Sequence, residues 1–152
     1  MRNWLIAAGL GLNALASPAS GAGVSGGEIQ IAAGSRVYAA QCASCHGATG
    51  EGVPDWERPD TSGEMPAPPH DSTGHTWKHS DAMLYRIVRN GWRDPYNKTT
   101  RLTMPAFGQT LSPGEVRDVI AYLKTMWAPE QRKFQIEESE HAPFPPEALS
   151  TP

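Results

Sequence analysis

The pentapeptide Cys42-Ala43-Ser44-Cys45-His46 has the Cys-x-x-Cys-His pattern by which a c-type haem is attached to protein. Two thiols three positions apart lie on nearly adjacent faces of one helical turn, so both can add to the two vinyl groups of one porphyrin. His46 then lies beneath the ring, where its imidazole can bind the iron. The sequence contains 2 cysteines, and the motif uses both. Cys42, Cys45 and His46 are therefore candidate residues for one covalently attached haem c.

The same five residues have three rival interpretations: a redox dithiol, half of a zinc site, or a disulfide in a small loop. A structural zinc site usually has four protein ligands, and the chain has no second cysteine pair. A thioredoxin-type dithiol follows a strand in a βαβ pattern, and no such strand is predicted before Gln41. Haem attachment is the interpretation that the surrounding sequence favours.

Length and composition predict one irregular domain. The chain has 152 residues, with 15 glycines and 14 prolines, which favours long connections between helices. Hydrophobic residues make up 39%, a low share for a helical protein that must build its own core. A buried haem would add a large apolar surface for side chains to pack on. The formal net charge of −3 argues against nucleic acid as a partner.

The charges are distributed unevenly along the sequence. Residues 47–77 contain six acids and one base, whereas residues 78–101 contain six bases and two acids. The stretch after Trp127 adds five acids and two bases. These stretches are either ordinary solvated faces or a dipolar surface that orients the protein on a partner.

Residues 1–22 are predicted to be a secretory signal peptide. Arg2 supplies the positive charge, residues 4–15 form an apolar run, and small residues follow. Cleavage could occur after Ala16 or after Ala22, and we favour the latter. The run is short for a bilayer span, so an uncleaved anchor is the lesser alternative. Bacteria attach haem outside the cytoplasm, so a periplasmic location agrees with the haem motif.

Three helices are predicted from local signals. The first begins within residues 31–35, after a flexible leader at residues 23–30, and runs into the haem motif. The second spans Asp81–Asn90, with Ser80 as its N-cap and Gly91 at its end. The last begins at Ser112-Pro113-Gly114-Glu115, a capping box with proline at the first helical position.

The remaining segments lack a sustained period. Residues 47–76 and residues 92–108 are predicted to be loops, the first wrapping one edge of the haem. Pro129 is expected to stop the last helix. Residues 130–152 are acidic and rich in proline, so this tail is predicted to be extended or disordered.

The sixth ligand of the iron must come from a segment that can fold over the opposite face of the ring. The candidates are Met65, Met83, Met104, Met126, His70, His75, His79 and His141. Met104 lies in a loop between two helices, and Pro105 stiffens the chain beside it. Met65-Pro66 has the same form but no flanking helix to position it. Met104 is therefore the predicted ligand, with Met65 or a histidine as the alternative, because Met/His is a standard haem ligand pair.

These residues together form an extended pattern. It reads Gly34-x-x-x-Tyr38-x-x-x-Cys42-x-x-Cys45-His46-Gly47, then Met104-Pro105-x-Phe107-Gly108, then Leu111-Ser112 before a helix with Tyr122-Leu123. The chain resembles monohaem class I c-type cytochromes, in particular small exported bacterial ones, over residues 31–129. The resemblance implies an all-α fold, the class I cytochrome c fold, with three to four helices and long loops around one covalently bound haem.

The resemblance also implies residue roles. Cys42 and Cys45 carry the thioethers, and His46 and Met104 are the axial ligands of the iron. The first and last helices are expected to cross, with Gly34 and Tyr38 near Tyr122. In this family a proline carbonyl soon after the motif orients the histidine, and Pro54 and Pro59 are both eligible here.

The predicted function is single-electron transfer between redox partner proteins, by a carrier that is not itself an enzyme. Its partner could be an oxidase, a dehydrogenase or a reductase, including a membrane-bound one, and the carrier is expected to be monomeric. The alternatives are a peroxidase-like haem protein and a metal-sensing module that uses His70, His75 and His79. Trp77 is either a donor to a haem propionate or a stacked core residue.

Overall fold

The computed structural model describes residues 25–150, so the predicted signal peptide at residues 1–22 lies outside the described residues. Six α-helices follow in order: α1 Gly26–Gln41, α2 Ala43–His46, α3 Asp81–Asn90, α4 Pro113–Lys124, α5 Pro129–His141 and α6 Pro146–Leu149. A single 3₁₀ turn, Thr76–Lys78, precedes α3. Residues 25–150 contain no β-strand, only an isolated antiparallel bridge between Trp92 and Met104. No helix in this range is long and apolar enough to cross a membrane.

Helices α1 and α4 cross at Gly34, as the resemblance implies. A Cβ added to Gly34 would collide with the backbone carbonyl of Asp118 on α4 and with the Cβ of Tyr122. A glycine is therefore needed where the two backbones approach. One turn further along α1, Tyr38 packs against Tyr122 with ring centroids 5.5 Å apart.

The core lies around this crossing. It contains aromatic and aliphatic side chains from α1, α3 and α4, one residue from α6, and Leu111 and Trp127 from the segments on either side of α4. Its buried members are Tyr38, Leu84, Tyr85, Val88, Leu111, Val116, Val119, Ile120, Leu123, Trp127 and Ala148. The apolar stripe of α4 supplies four of them, which explains why this helix is central.

Helices α3 and α4 begin where the sequence predicts. The Ser80 hydroxyl accepts a hydrogen bond from the Met83 N–H, and α3 spans Asp81–Asn90. Ser112 and Glu115 form a reciprocal capping box at the start of α4, with Pro113 at the first helical position. The capping residues therefore predicted both helix starts correctly.

Helix α1 begins earlier than predicted, at Gly26 rather than within residues 31–35. Its start is fixed by a second capping box, in which Ser25 caps the Glu28 N–H and the Glu28 carboxylate accepts from the Ser25 N–H. The Ser-x-x-Glu spacing was a readable signal that the glycines between the two residues obscured. The described part of the predicted leader is therefore largely helical.

The prediction that residues 130–152 are extended or disordered is wrong for residues 130–141 and for Pro146–Leu149, which are helical. Pro129 does not stop a helix but opens one, α5, because proline is tolerated at the first helical position. Gln135 on α5 and Ala148 on α6 are completely buried. The chain thus has six α-helices in its described part, where three to four were expected.

Candidate functional site

The attachment segment, residues 42–47, continues directly from α1. Cys42 ends α1 by donating its N–H to the Tyr38 carbonyl at 2.9 Å, and it also begins the single turn of α2. The His46 N–H donates to the Cys42 carbonyl at 3.0 Å. Both thiols are free, Cys42 half-buried and Cys45 exposed. The helical turn therefore presents two unpaired thiols and an imidazole from five successive residues.

His46 is held in one orientation. The residue is only 7% exposed, and its Nδ1 lies 2.8 Å from the Pro68 carbonyl oxygen. A carbonyl can only accept, so Nδ1 carries the proton and Nε2 keeps a free lone pair. The expected proline was wrong: Pro68 makes this contact, and neither Pro54 nor Pro59 does.

Pro68 reaches His46 because the loop folds back on itself. The Gly52 N–H donates to the His46 carbonyl at 2.8 Å, and the Val53 N–H donates to the Ala67 carbonyl at 3.0 Å. Gly52 has a φ of +68° and lies against Pro68 and Pro69 so closely that a Cβ would collide with them. The pairing of Val53 with Ala67 and the close approach at Gly52 therefore bring Pro68, which is distant in sequence, to the His46 ring.

His70 has a role that sequence reasoning missed. Its ring stacks on the His46 ring with centroids 3.9 Å apart and planes 24° apart. Its Nδ1 lies 2.9 Å from the Thr76 hydroxyl, and its carbonyl accepts from the Trp127 indole N–H at 2.9 Å. Burial lowers the pKa of His70 well below its usual value, with the nearby His46 and His75 adding to the effect. A neutral His70 thus supports the His46 ring.

The methionine segment, residues 102–108, contacts α3 and the residues that follow it. Met104 exchanges both backbone hydrogen bonds with Trp92, at 2.9 and 3.1 Å. The side chain of Met104 is partly buried against the hydrophobic core. The Phe107 N–H donates to the Val88 carbonyl at 3.0 Å, which ties the segment to the end of α3. The segment is thus ordered by backbone contacts, while ligation of iron by Met104 remains a prediction.

The other ligand candidates have different surroundings. The Met83 sulfur accepts a hydrogen bond from the Arg86 guanidinium at 2.8 Å. Met126 packs against the core and lies beside Gly50. Met65 borders a cavity, and His141 is exposed at the end of α5.

Trp77 has the stacked arrangement, one of its two predicted alternatives. Its indole N–H donates to the Gly74 carbonyl at 2.9 Å, and its ring packs edge-on against Phe134 of α5 at 5.5 Å. His75 and His79 contact each other edge-on at 5.3 Å. Among residues 25–150, no group of three or more His, Cys, Asp or Glu side chains is arranged to hold a metal ion.

The residues present fit a covalently bound haem. Burial, with a smaller effect of Cys45, raises the pKa of the Cys42 thiol to about 11, so this site favours an uncharged sulfur such as a thioether. Burial also lowers the pKa of His46, which keeps the imidazole neutral although the Pro68 hydrogen bond opposes the shift. A neutral imidazole with a free Nε2 is the form that binds iron.

The family comparison agrees with this site. Residues 31–127 match the Cytochrome c family model, which covers well over half of the chain. The chain therefore belongs to the cytochrome c family, and both its all-α cytochrome c fold and its covalently attached haem c follow from that membership. It is a haem-binding electron carrier that works with redox partner proteins. No curated protein matches the sequence.

Proposed function

We propose that this protein is an exported monohaem cytochrome c that carries single electrons through a haem ligated by His46 and Met104. Cys42 and Cys45 provide the two thioether attachments. His46 and Met104 would hold the iron. When bound, the haem supplies one-electron exchange between ferric and ferrous iron.

The observation that carries the proposal is the 2.8 Å contact between His46 Nδ1 and the Pro68 carbonyl. It fixes the tautomer and the ring orientation, and it makes Nε2 a better electron donor. The His70 ring, stacked at 3.9 Å, limits rotation of the imidazole. This ligand is therefore prepared before the iron arrives.

Met104 supplies the second half of the argument. Its backbone pairing with Trp92 places it on an ordered segment, and Pro105 restricts the next residue. A thioether is a neutral, soft ligand that favours ferrous over ferric iron and so raises the reduction potential. With His46 and Met104 both bound, the iron would have no open position for a substrate. The chemistry left to the protein is outer-sphere electron transfer.

The basic residues of the stretch 78–101 suggest how a partner docks. They are Lys78, Arg86, Arg89, Arg93, Lys98 and Arg101, and none of them forms an ion pair with a described carboxylate. Arg93 donates to the carbonyls of Asn97 and Thr99, whereas Lys78, Arg86, Lys98 and Arg101 are exposed. We infer that this group rims the exposed haem edge and attracts an acidic partner.

Met104 ligation can be tested with two matched variants, Met104→Leu and Met65→Leu. Leucine has a volume close to that of methionine, so each variant removes the sulfur with little disturbance of packing. Met104→Leu should lose the far-red charge-transfer band of a thioether on ferric iron, and its ferrous form should bind carbon monoxide. Met65→Leu should keep the band and exclude carbon monoxide. The reverse pattern would make Met65 the ligand.

Two further measurements address export and docking. Amino-terminal sequencing of protein purified from the periplasm should start at Gly23 if cleavage follows Ala22; recovery only from the cytoplasm would contradict export.

The rate of electron exchange with an acidic redox protein should fall as ionic strength rises. A rate that does not depend on ionic strength would exclude the docking role of the basic residues. Hydrogen peroxide turnover by the unaltered protein would favour the peroxidase-like alternative.

A further inference from the structure

Helix α5, Pro129–His141, follows the part of the chain that matches the Cytochrome c family model, which ends at residue 127. It contains neither the haem motif nor the methionine segment, so the proposed function gives it no role. Its contacts are nevertheless with the first loop and its continuation. It packs against the 3₁₀ turn Thr76–Lys78, and its Phe134 ring meets the Trp77 ring edge-on at 5.5 Å. α5 therefore covers the chain that leads from the support of His46 to α3.

Two side chains at the start of α5 hold the backbone of the first loop. Trp127, just before the helix, is 2% exposed, and its indole N–H donates to the His70 carbonyl at 2.9 Å. The Gln131 amide nitrogen donates to the Ser72 carbonyl at 2.9 Å. The amide oxygen of the same glutamine accepts from the Ala128 N–H at 3.0 Å and so caps the helix. Trp127 and Gln131 together form what we call the tail clamp.

Helix α5 is itself fixed to the core helices. The completely buried Gln135 donates to the Asp81 carboxylate of α3 at 2.8 Å. The Asp81 N–H donates to the Ser139 hydroxyl of α5 at 3.0 Å. Lys124 of α4 forms an ion pair with the same carboxylate at 2.6 Å. Because α5 is bound to α3 in this way, the tail clamp rests on a rigid support.

The clamped residues are those that hold the His46 ring. The Pro68 carbonyl accepts from His46 Nδ1, and the His70 ring stacks on the imidazole. On the inner side, the His70 N–H donates to the Gly50 carbonyl at 2.7 Å. His70 is thus held through its N–H by Gly50 and through its carbonyl by Trp127. Release of the outer bond would allow Pro68 and His70 to move relative to the His46 ring.

We propose that the tail clamp positions His46 through the first loop and thereby lowers the reduction potential of the haem. This inference rests on the proposed function, because it takes His46 as a ligand of the iron. Trp127 and Gln131 are positioning residues, since they act on His46 through the segment that contains Pro68 and His70. A firm hydrogen bond from Nδ1 makes the imidazole a stronger donor, which favours ferric iron. Without the clamp this bond weakens, and the potential should rise.

The test uses the haem-loaded protein and neutral substitutions, so that no change of charge contributes to the potential. Trp127→Phe keeps an aromatic ring but loses the indole N–H. Gln131→Met keeps the length of the side chain but loses the amide. Ile120→Val is the control for a general loss of stability, because it deletes one buried CH₂ group of α4 and no hydrogen bond. Gln30→Met, on α1, is the control for loss of a glutamine.

Two quantities are measured: the reduction potential, and the rate at which the His46 Nδ1 proton of the ferrous protein exchanges with solvent, followed by NMR. In Trp127→Phe this exchange should be about tenfold faster, the factor that corresponds to the loss of one hydrogen bond. The potential of this variant should rise. Gln131→Met should show smaller changes in the same directions, because Ser72 is four residues away from Pro68. Both controls should match the unaltered protein.

An unchanged proton exchange in Trp127→Phe would overturn the inference, whatever the potential. Equal changes in Ile120→Val would also overturn it, since they would come from a general loosening of the fold. Faster exchange with an unchanged or lower potential would overturn the effect proposed for the potential. If Trp127→Phe does not fold, Gln131→Met decides, because Gln131 is only half-buried and its replacement leaves the core intact. An unchanged exchange in that variant would then be the contradicting result.

The outcome can be separated from that of the proposed function. The far-red band of ferric iron reports Met104 ligation, whereas the proton exchange reports the contact between His46 and Pro68. If the unaltered protein has the band and the exchange is unchanged in Trp127→Phe, only the role of the tail clamp is wrong. If the unaltered protein lacks the band, Met104 ligation is wrong, and the exchange of the His46 proton still decides whether the clamp acts.

Discussion

The attachment segment, residues 42–47, and the methionine segment, residues 102–108, are held in different ways. In the first, the Tyr38 hydroxyl donates to the Gly47 carbonyl at 2.9 Å. The Gly52 N–H donates to the His46 carbonyl, and the Pro68 carbonyl accepts from the His46 ring. In the second, Met104 is held through its backbone by Trp92, and the next residue, Pro105, is exposed.

The difference shows which of the two segments belongs to the hydrophobic core of the fold. The attachment segment continues from a helix whose Tyr38 is 1% exposed, so disturbing it should reduce the stability of the whole fold. The methionine segment lies at the edge of that core. Disturbing it should change iron ligation before it unfolds the protein.

The largest effect is expected from Tyr38→Ala. It deletes a buried ring that packs against Tyr122 and contacts His70 edge-on, so the free energy of unfolding should fall by about 3–5 kcal/mol. Denaturant unfolding of the haem-loaded protein measures this change. Tyr96→Ala is the control, because Tyr96 is 78% exposed and its removal should change stability by less than about 0.5 kcal/mol. If Tyr38→Ala and Tyr96→Ala lowered the free energy of unfolding equally, the attachment segment would not belong to the core.

The hydroxyl of Tyr38 can be separated from its ring with Tyr38→Phe. This variant loses the hydrogen bond to Gly47 but keeps the packing, so a loss of about 1 kcal/mol is expected.

The next effect concerns the methionine segment and is tested with Gly91→Ala. Gly91 has a φ of +76°, and an added Cβ would lie 2.7 Å from the Met104 carbonyl oxygen and 2.9 Å from the Ala106 nitrogen. The strained backbone should cost about 1–3 kcal/mol, and the far-red band should weaken because the Met104 backbone must shift.

Gly114→Ala is the matched control for Gly91→Ala. No atom lies within 4 Å of a Cβ added at Gly114, which sits in the first turn of α4. The band should stay unchanged there, and stability should be equal or slightly higher. A full-strength band in Gly91→Ala would show that Met104 does not depend on this close approach.

The sequence was most informative where structure is decided over a few residues. Cys42 to His46 spans one helical turn, and the caps at Ser80 and Ser112 act within three residues. Pro68 could not be identified in this way. It meets His46 only because Val53 pairs with Ala67 and the loop doubles back, a contact between residues 22 apart.

The tail was missed for a different reason. α5 lacks a clear apolar stripe, and its buried residues are polar. The Gln135 amide donates to the Asp81 carboxylate and to the Ser139 hydroxyl, both at 2.8 Å. Lys124 forms an ion pair with the same carboxylate at 2.6 Å. Because the buried side chains of α5 make polar contacts with Asp81 of α3, hydrophobic periodicity did not reveal this helix.

The smallest effect is expected from Ser112→Ala, at the junction between the methionine segment and α4. Ser112 caps the Glu115 N–H, and the Glu115 carboxylate accepts from the N–H and the hydroxyl of Ser112. Loss of the cap should cost about 1 kcal/mol. Because Leu111 is buried just before this cap, the far-red band should also weaken slightly.

The effect of Ser112→Ala should depend on pH. The backbone and hydroxyl hydrogen bonds from Ser112 lower the pKa of Glu115 below its usual 4.5. A lowered pKa in the folded state means that the carboxylate stabilises the fold above about pH 4.5 and that this contribution is lost as pH falls through the lowered value. The difference in stability between Ser112→Ala and the unaltered protein should therefore shrink in acid.

Ser25→Ala is the control for Ser112→Ala. It removes the same kind of cap from the exposed start of α1, a whole helix away from Cys42. It should leave the far-red band unchanged, so an equal change in both variants would mean that the α4 cap does not support Met104.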